Sequence, residues 1–307
     1  MNEALTLLLL GVGLTTLLGL GASWVDRKVT ARVQYRVGPP LLQPVYDLLK
    51  LVGKETVIPR GADRVTFLAA PAVGLAAVVT VSVILWAAIM YPEQGLVGDW
   101  VVVLYLLLVP SLALIAGGSA SGNPLAAVGA SREMQLLTAY ELPFVLAALV
   151  PVVQADLSFR MGDIVGWQLQ NGPVLCSWSG VLAAVVAVVA MQAKLALVPF
   201  DLAEAETELA GGILIEYSGT PLAFIRFTRN LLLFVLPFLL LVLFLGGGGA
   251  GWSGLLVGTV GYLVLLVIVT LVRNTNPRVR IDQAMRFFWG PMVIVSLAAV
   301  VLATLGY

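Results

Sequence analysis

Acidic side chains lie within or beside apolar stretches of this sequence, and their chemistry needs explaining first. Glu141 lies in the run 136–150, which is otherwise apolar apart from one threonine and one tyrosine. An ionised carboxylate in hydrocarbon costs at least about 2.5–3.5 kcal/mol, so Glu141 is expected to face protein or water. Glu133 precedes it by about two helical turns, or roughly 12 Å. The two could relay protons through intervening waters. The alternatives are a structural salt bridge for Glu141 and, for Glu133, the first turn of a helix capped by Ser131.

A second acidic group follows Pro199. It comprises one aspartate and four glutamates: Asp201, Glu204, Glu206, Glu208 and Glu216. Asp201 and Glu204 have the spacing of a capping box, which predicts a helix after the proline. On such a helix Asp201, Glu204 and Glu208 share one face, where like charges repel and favour proton sharing. The alternative is an exposed acidic helix at the membrane surface.

Basic residues near these acids are candidate counter-charges. Lys194 lies near the end of an apolar run, where a lysine either pairs with a buried acid or extends to the interface. Other candidates precede later apolar runs: Arg226, Arg278, Arg280 and the adjoining Asp282. Arg229 and Arg273 are expected only to set topology.

The composition predicts an all-α integral membrane protein, organised as a single polytopic membrane domain over 1–307. Hydrophobic residues make up 60% of the chain and charged residues 11%, too little charge to cover a soluble domain. With no histidine and a single cysteine, Cys176, the chain alone is expected to hold no zinc, haem, iron–sulfur cluster or disulfide framework. No nucleic-acid partner is expected.

Apolar runs of membrane-crossing length predict eight transmembrane helices. They lie at roughly 4–24, 64–90, 100–116, 136–153, 180–198, 230–246, 253–272 and 288–306. The third is the weakest, because it is short and contains Pro110. Fifteen of the 17 Lys and Arg residues fall on one side, which the positive-inside rule assigns to the cytoplasm of a cell membrane, with both termini outside. The first span carries Glu3 where a cleavable signal peptide has basic residues.

Four motifs in the same order resemble the family of complex I membrane subunit 1. The longest is ARVQYRVGPPLLQPVYDLLKLVGKE at Ala31–Glu55. The others are AYEL at 139–142, Pro199–Glu208 followed by EYSG at 216–219, and PRVRIDQ at 277–283. In that family the first loop seats a peripheral arm and bounds a quinone cavity. The resemblance covers nearly the whole chain.

Two details resemble a particular branch, the group 4 energy-converting nickel–iron hydrogenases and their formate-hydrogenlyase relatives. Gly38-Pro39-Pro40 runs directly into Leu41-Leu42-Gln43-Pro44, whereas complex I members carry a longer stretch there, and 129–133 reads GASRE. The resemblance implies that ferredoxin or formate supplies electrons, that hydrogen forms in a soluble arm, and that the membrane arm couples this reaction to ion movement. It implies a nickel–iron centre and iron–sulfur clusters in partner subunits. Those partners are hydrogenase large and small subunits, an iron–sulfur subunit and antiporter-like membrane subunits.

The resemblance also implies roles for individual residues. A proton pathway would comprise Glu133, Glu141, Lys194, Asp201, Glu204, Glu206, Glu208, Glu216, Arg226, Arg278, Arg280 and Asp282. An interface with the peripheral arm would comprise Arg32, Gln34, Arg36, Gly38, Pro39, Gln43, Asp47, Lys50, Lys54 and Glu55. The stretch 41–54 has the pattern of an amphipathic interfacial helix in the first cytoplasmic loop, and a surface helix without a partner is the alternative.

Three other functions remain open from the sequence. The chain could be the quinone-cavity subunit of a complex I, a stand-alone secondary transporter that uses the same acids, or a passive scaffold. Each predicts a different activity for the purified chain or complex.

Overall fold

Helices make up all the regular secondary structure in the described part of the chain. The computed structural model describes residues 3–95, 97–248 and 251–306. Seven helices in these ranges are long and apolar enough to cross a membrane, and an eighth apolar helix is shorter. The all-α membrane architecture predicted from the sequence is confirmed.

Ten helices are numbered here in chain order. They are α1 (Leu5–Val33), α2 (Gln43–Val52), α3 (Arg64–Met90), α4 (Asp99–Ala120), α5 (Pro124–Gln154), α6 (Met161–Asn171), α7 (Trp178–Lys194), α8 (Gly219–Leu245), α9 (Gly251–Thr275) and α10 (Ile281–Thr304). The eight predicted spans correspond to these helices without α2 and α6. Helix α2 is the helix predicted in the first loop, and α6 was not predicted.

Helix α5 begins 12 residues earlier than the predicted span at 136–153. The Asn123 side chain accepts a hydrogen bond from the Leu125 amide at 2.9 Å, and Pro124 occupies the first turn, where its missing N–H costs nothing. The suggested cap at Ser131 is therefore wrong. Glu133 lies in the interior of a long helix, beyond the first turn where the dipole would stabilise it.

Helix α4 is broken in the middle, which explains the weakness of the third predicted span. Its two segments are Asp99–Leu106 and Val109–Ala120. Pro110 has no N–H to donate to the carbonyl of Leu106, so the helical hydrogen-bond pattern is interrupted there.

The core of the protein lies around α8. Residues 231–244 are all buried, as expected for a helix that is apolar on every face. Helix α8 packs against α1, α3, α7 and α9, while α5, α7 and α10 form a second group joined to α3 through α4. The acidic loop between α7 and α8 lies at the junction of the two groups.

A buried ion pair ties α1 to α9. Asp26 is 4% exposed and accepts hydrogen bonds from Arg273 at 2.7 Å and from the Thr270 hydroxyl at 3.0 Å. An unpaired charge at this depth would be strongly destabilising. The expectation that Arg273 only sets topology is therefore wrong, because it neutralises Asp26.

The contact between α1 and α8 depends on Gly19. A Cβ at Gly19 would lie 2.9 Å from the Asn230 carbonyl oxygen and 3.2 Å from the Leu231 Cα, whereas a Cβ at Gly21 would meet nothing within 4 Å. Gly19→Ala should therefore push the two helices apart and destabilise the fold by about 1–3 kcal/mol. Gly21→Ala in the same helix should be neutral or slightly stabilising. Thermal unfolding in detergent measures both, and equal unfolding temperatures would contradict this packing.

Candidate functional site

Glu141 and Lys194 form an ion pair between α5 and α7. The Lys194 Nζ lies 2.7 Å from Glu141 Oε2, and the side chains are 2% and 17% exposed. The other carboxylate oxygen of Glu141 is buried without a partner among the described residues. Of the two roles left open for Lys194, the structure shows the pairing. It also contains the salt bridge that was the alternative for Glu141.

Aromatic rings enclose this pair. The Lys194 Nζ lies 4.8 Å from the Phe144 ring centroid and 5.4 Å from that of Tyr140, distances at which ring faces stabilise a cation. Tyr140 packs edge-on against Phe288, whose ring centroid lies 5.0 Å from that of Phe200. These rings stand between the Glu141–Lys194 pair and the loop that begins at Phe200.

Glu133 lies in the core, on one side of a narrow internal cavity. It is 3% exposed, and its carboxylate faces the Ser111 hydroxyl. The polar groups lining this central cavity belong to Ser111, Glu133, Lys194, Thr228 and Arg229. About 30 Å³ is open to the centres of water molecules, enough for one or a few waters. Water in the central cavity would connect Glu133 with Lys194.

The acidic loop does not form the predicted helix over Asp201 and Glu204. Only Glu206–Leu209 makes a helical turn, and Ala205 before it has a φ of 22°. Three acids of the loop instead pair with arginines from three other parts of the fold: Asp201 with Arg278 at 2.9 Å, Glu204 with Arg229, and Glu208 with Arg132 at 2.6 Å. The predicted shared face is therefore wrong, because each carboxylate has its own counter-charge.

Arg229 joins the loop to the core. It comes from α8, lines the central cavity, and forms an ion pair with Glu204. Glu133 and Asp201 also lie within electrostatic range of its guanidinium. The expectation that Arg229 only sets topology is wrong.

Asp201 retains a tendency to hold its proton despite its partner. Burial and the nearby charge of Glu204 raise the pKa of Asp201, and together they outweigh the opposing charges of Arg278 and Arg229. One of its carboxylate oxygens is buried without a hydrogen-bond partner among the described residues. Asp201 is therefore suited to exchange a proton near the surface.

The remaining predicted pathway residues lie outside the central cavity. Glu208 is exposed, and Glu216 accepts a hydrogen bond from the Asn123 side chain at 2.6 Å, beside the start of α5. Arg280 and Asp282 form an exposed pair at 3.8 Å. The side chain of Glu206 lies outside the described residues.

Arg226 lines a different cavity, beneath α2. Arg27, Asp47 and Arg229 contribute to the same cavity. Burial alone would raise the pKa of Asp47, but hydrogen bonds from Arg27 at 2.5 Å and Gln43 at 2.8 Å, with the charges of Arg27 and Lys50, hold it below its usual value. Asp47 thus binds α2 to α1.

Most residues predicted at the peripheral-arm interface are exposed on the first loop. The exposed ones are Arg32, Gln34, Arg36, Lys50, Lys54 and Glu55. Gly38 lies where a Cβ would be 2.6 Å from the Lys28 side chain, and the Pro39 carbonyl accepts a hydrogen bond from the Trp24 indole at 3.1 Å. Gly38 and Pro39 therefore shape the loop, while the charged residues face outward.

Several residues that build the site were not predicted. Asn123 had a recognisable signal, because an asparagine before a proline is typical of a helix start. Ser111 and Thr228 carry no charge, and the sequence offers no signal that they line the cavity. Within the described ranges, no three His, Cys, Asp or Glu side chains are grouped to hold a metal ion.

Comparison with known proteins identifies the family. Residues 5–304 match the sequence profile of a family described as NADH dehydrogenase. The chain belongs to this NADH dehydrogenase family. The resemblance to complex I subunit 1 that the motifs indicated is confirmed.

Relatives and a solved structure agree along nearly the full length of this NADH dehydrogenase family member. It is 36% identical to an NADH-quinone oxidoreductase subunit of Geobacillus thermodenitrificans, covering 90% of this chain and 86% of that protein. It is 38% identical to the NADH-quinone oxidoreductase subunit of the same name from Syntrophotalea carbinolica, covering 97% and 96%. A chain of the membrane-bound sulfane sulfur reductase, an archaeal respiratory membrane complex, is similar with a TM-score of 0.85 and 28% identity, covering 98% of this chain and all of that one.

The buried pair should be energetically coupled, unlike the surface pair. Lys194→Met or Glu141→Leu alone leaves an uncompensated charge and should destabilise the protein by about 3–5 kcal/mol, whereas the double variant should recover most of that loss. The matched control is Arg280→Ala with Asp282→Ala, whose coupling should stay below about 1 kcal/mol. Thermal unfolding of the four single and two double variants in detergent measures both cycles. Additive effects at the buried pair would show that the ion pair contributes nothing.

Proposed function

We propose that this chain is the membrane subunit that seats the soluble redox arm of an energy-converting, hydrogenase-type respiratory complex. It couples ferredoxin-driven or formate-driven hydrogen chemistry in that arm to ion translocation. The chain acts as a single membrane unit with no redox centre of its own. The nickel–iron centre and iron–sulfur clusters belong to the hydrogenase large and small subunits and an iron–sulfur subunit, and antiporter-like subunits adjoin it in the membrane.

The observation that carries this proposal is a sequence of paired acids running from the loop into the membrane. Asp201 and Glu204 lie near the surface, Arg229 extends from Glu204 to the central cavity, and Glu133 lines that cavity. Lys194 borders the same cavity and ends the series at Glu141. Polar groups at this depth are expensive unless they are used, which makes an ion path the favoured interpretation.

Electrostatics can link this path to a reaction outside the chain. Two unit charges 4 Å apart interact by about 4 kcal/mol at an effective dielectric constant of 20. A charge that appears in the soluble arm above the basic loops can therefore move a proton onto Asp201 or Glu204. Each transfer unbalances the next pair, and the change travels by way of Glu133 to Glu141. Glu206, Glu208, Glu216, Arg226 and the Arg280–Asp282 pair belong to the mouth of this path.

The exposed first loop supports the seating role. Arg32, Gln34 and Arg36 are exposed where a negatively charged partner surface can contact them, and α2 carries Lys50 beside them. The direct junction of Pro40 with Leu41 favours the hydrogenase branch. The structural likeness to a respiratory complex described as a sulfur reductase supports a membrane arm that serves a soluble reductase.

A second candidate is the quinone-cavity subunit of a complex I. The identities of 36% and 38% to NADH-quinone oxidoreductase subunits favour it. Quinone reduction by the purified complex, blocked by quinone-site inhibitors and without hydrogen evolution, would select this function. Copurification of a nickel–iron large subunit would select the first.

Neutralising Glu141 should separate ion translocation from the redox reaction. In the complex reconstituted into liposomes, Glu141→Gln should lower ion pumping at least tenfold, because Lys194 then keeps a fixed charge that no longer has an exchanging partner. The dye-linked hydrogenase activity of the soluble arm should stay within about twofold of the unmodified complex. Glu93→Gln, at an exposed position on the opposite side, is the control and should change neither. Unchanged pumping in Glu141→Gln would refute the path.

The proposed orientation places the basic loops in the cytoplasm and both termini outside. Cys176 is exposed between α6 and α7, on the side opposite the basic loops. A membrane-impermeant thiol reagent should label Cys176 in intact cells. In a Cys176→Ser background, Asn276→Cys should be labelled only in inverted vesicles. The reverse pattern would invert the topology.

A further inference from the structure

An open cavity lies between the starts of α3 and α8, apart from the acidic path. Its volume is about 370 Å³. Its polar lining comes from Arg64, Thr56 and Thr220, and its apolar lining includes Ile58, Leu68 and Phe224. The cavity opens to the outside of the helix bundle, where a membrane would surround the protein.

The polar groups of this cavity have no partner within the chain. Among the described residues, no ion pair or side-chain hydrogen bond involves Arg64, Thr56 or Thr220. Many of the other arginines are paired with carboxylates, as Arg27, Arg132, Arg229, Arg273 and Arg278 are. The neighbouring Asp63 accepts hydrogen bonds from the Val65 amide and the Thr66 hydroxyl, and both residues line another groove, between α3 and α4. The guanidinium of Arg64 is therefore available to an external anion.

The polar and apolar groups are arranged in two levels. Helices α3 and α8 each have 27 residues, or about 40 Å, which matches the roughly 40–45 Å of a bilayer with its headgroups. Their first turns, with Arg64 and Thr220, therefore lie at headgroup depth. Leu68 and Phe224 each follow four residues later and lie one turn deeper, at the edge of the hydrocarbon.

We propose that this cavity binds an anionic phospholipid from the leaflet on the basic side. The phosphate accepts hydrogen bonds from the Arg64 guanidinium and from the hydroxyls of Thr56 and Thr220, and an acyl chain lies along Leu68 and Phe224. Arginine suits the site because its planar fork binds a phosphate through two hydrogen bonds. The apolar lower level selects a lipid over a water-soluble phosphate.

The bound lipid would hold three parts of the fold together. Thr56 belongs to the segment that leaves the first loop, and this segment touches α8 through the hydrogen bond from the Val57 amide to the Ser218 hydroxyl at 3.0 Å. A phosphate shared by Thr56, Arg64 and Thr220 adds a second connection between this segment, α3 and α8. The lipid thereby steadies the end of the loop that carries α2.

The test compares Arg64→Gln with Arg60→Gln in the intact complex in detergent. Arg60 is exposed, lies in the same segment, and has no partner among the described residues, so it is a matched loss of charge. Phosphatidylglycerol should raise the unfolding temperature of the unmodified protein and of Arg60→Gln. Phosphatidylcholine and inorganic phosphate should not. Arg64→Gln should need at least tenfold more phosphatidylglycerol for the same rise.

Each other outcome overturns the proposal. An equal response to inorganic phosphate would indicate a free-anion site, and an equal response to phosphatidylcholine would indicate no headgroup selectivity. Equal behaviour of the two variants would exclude Arg64. A photoreactive phosphatidylglycerol provides a measurement on the unmodified protein: adducts should map to residues 56–68 and 220–224, and adducts that map elsewhere would refute the site.

Discussion

A charge buried at membrane depth requires a nearby opposite charge, and this requirement organises much of the structure. The Glu141–Lys194 pair is the deepest example, and Asp26–Arg273 and Glu204–Arg229 follow the same rule. Each pair joins two separate parts of the fold, so the contacts that neutralise charge also hold helices together. A change in the protonation of one member therefore alters packing as well as local charge.

The acids of this chain fall into two groups by their access to water. Glu208 and the Asp282 carboxylate meet bulk solvent, whereas Glu133 and Glu141 are separated from it by helices and aromatic rings. The central cavity has room for few waters, so protons in it would move along a short, defined chain of groups. Arg229 is the residue that borders both regions, which is why its charge matters more than its position in the sequence suggested.

The sequence predicted the features that depend on local pattern. Hydropathy located the eight spans and α2, and the cost of a buried charge singled out Glu141. Features that depend on distant partners were missed or misjudged. Spacing alone suggested a helix at Asp201–Glu204, but partners on three other segments hold the loop in turns instead. Arg273 meets Asp26 across 247 residues of sequence, and no local signal announces such a contact.

Close contact at Gly19 has a mechanical consequence. The missing side chain lets α1 rest against the backbone of Asn230, the residue next to Arg229. Helix α1 also leads directly into the exposed first loop. The two helices are thus held in a fixed register, and α1 cannot slide along α8 without shifting the backbone beside Arg229. A partner pressing on the loop would in this way displace the arginine at the cavity through rigid helices, with no flexible segment between them.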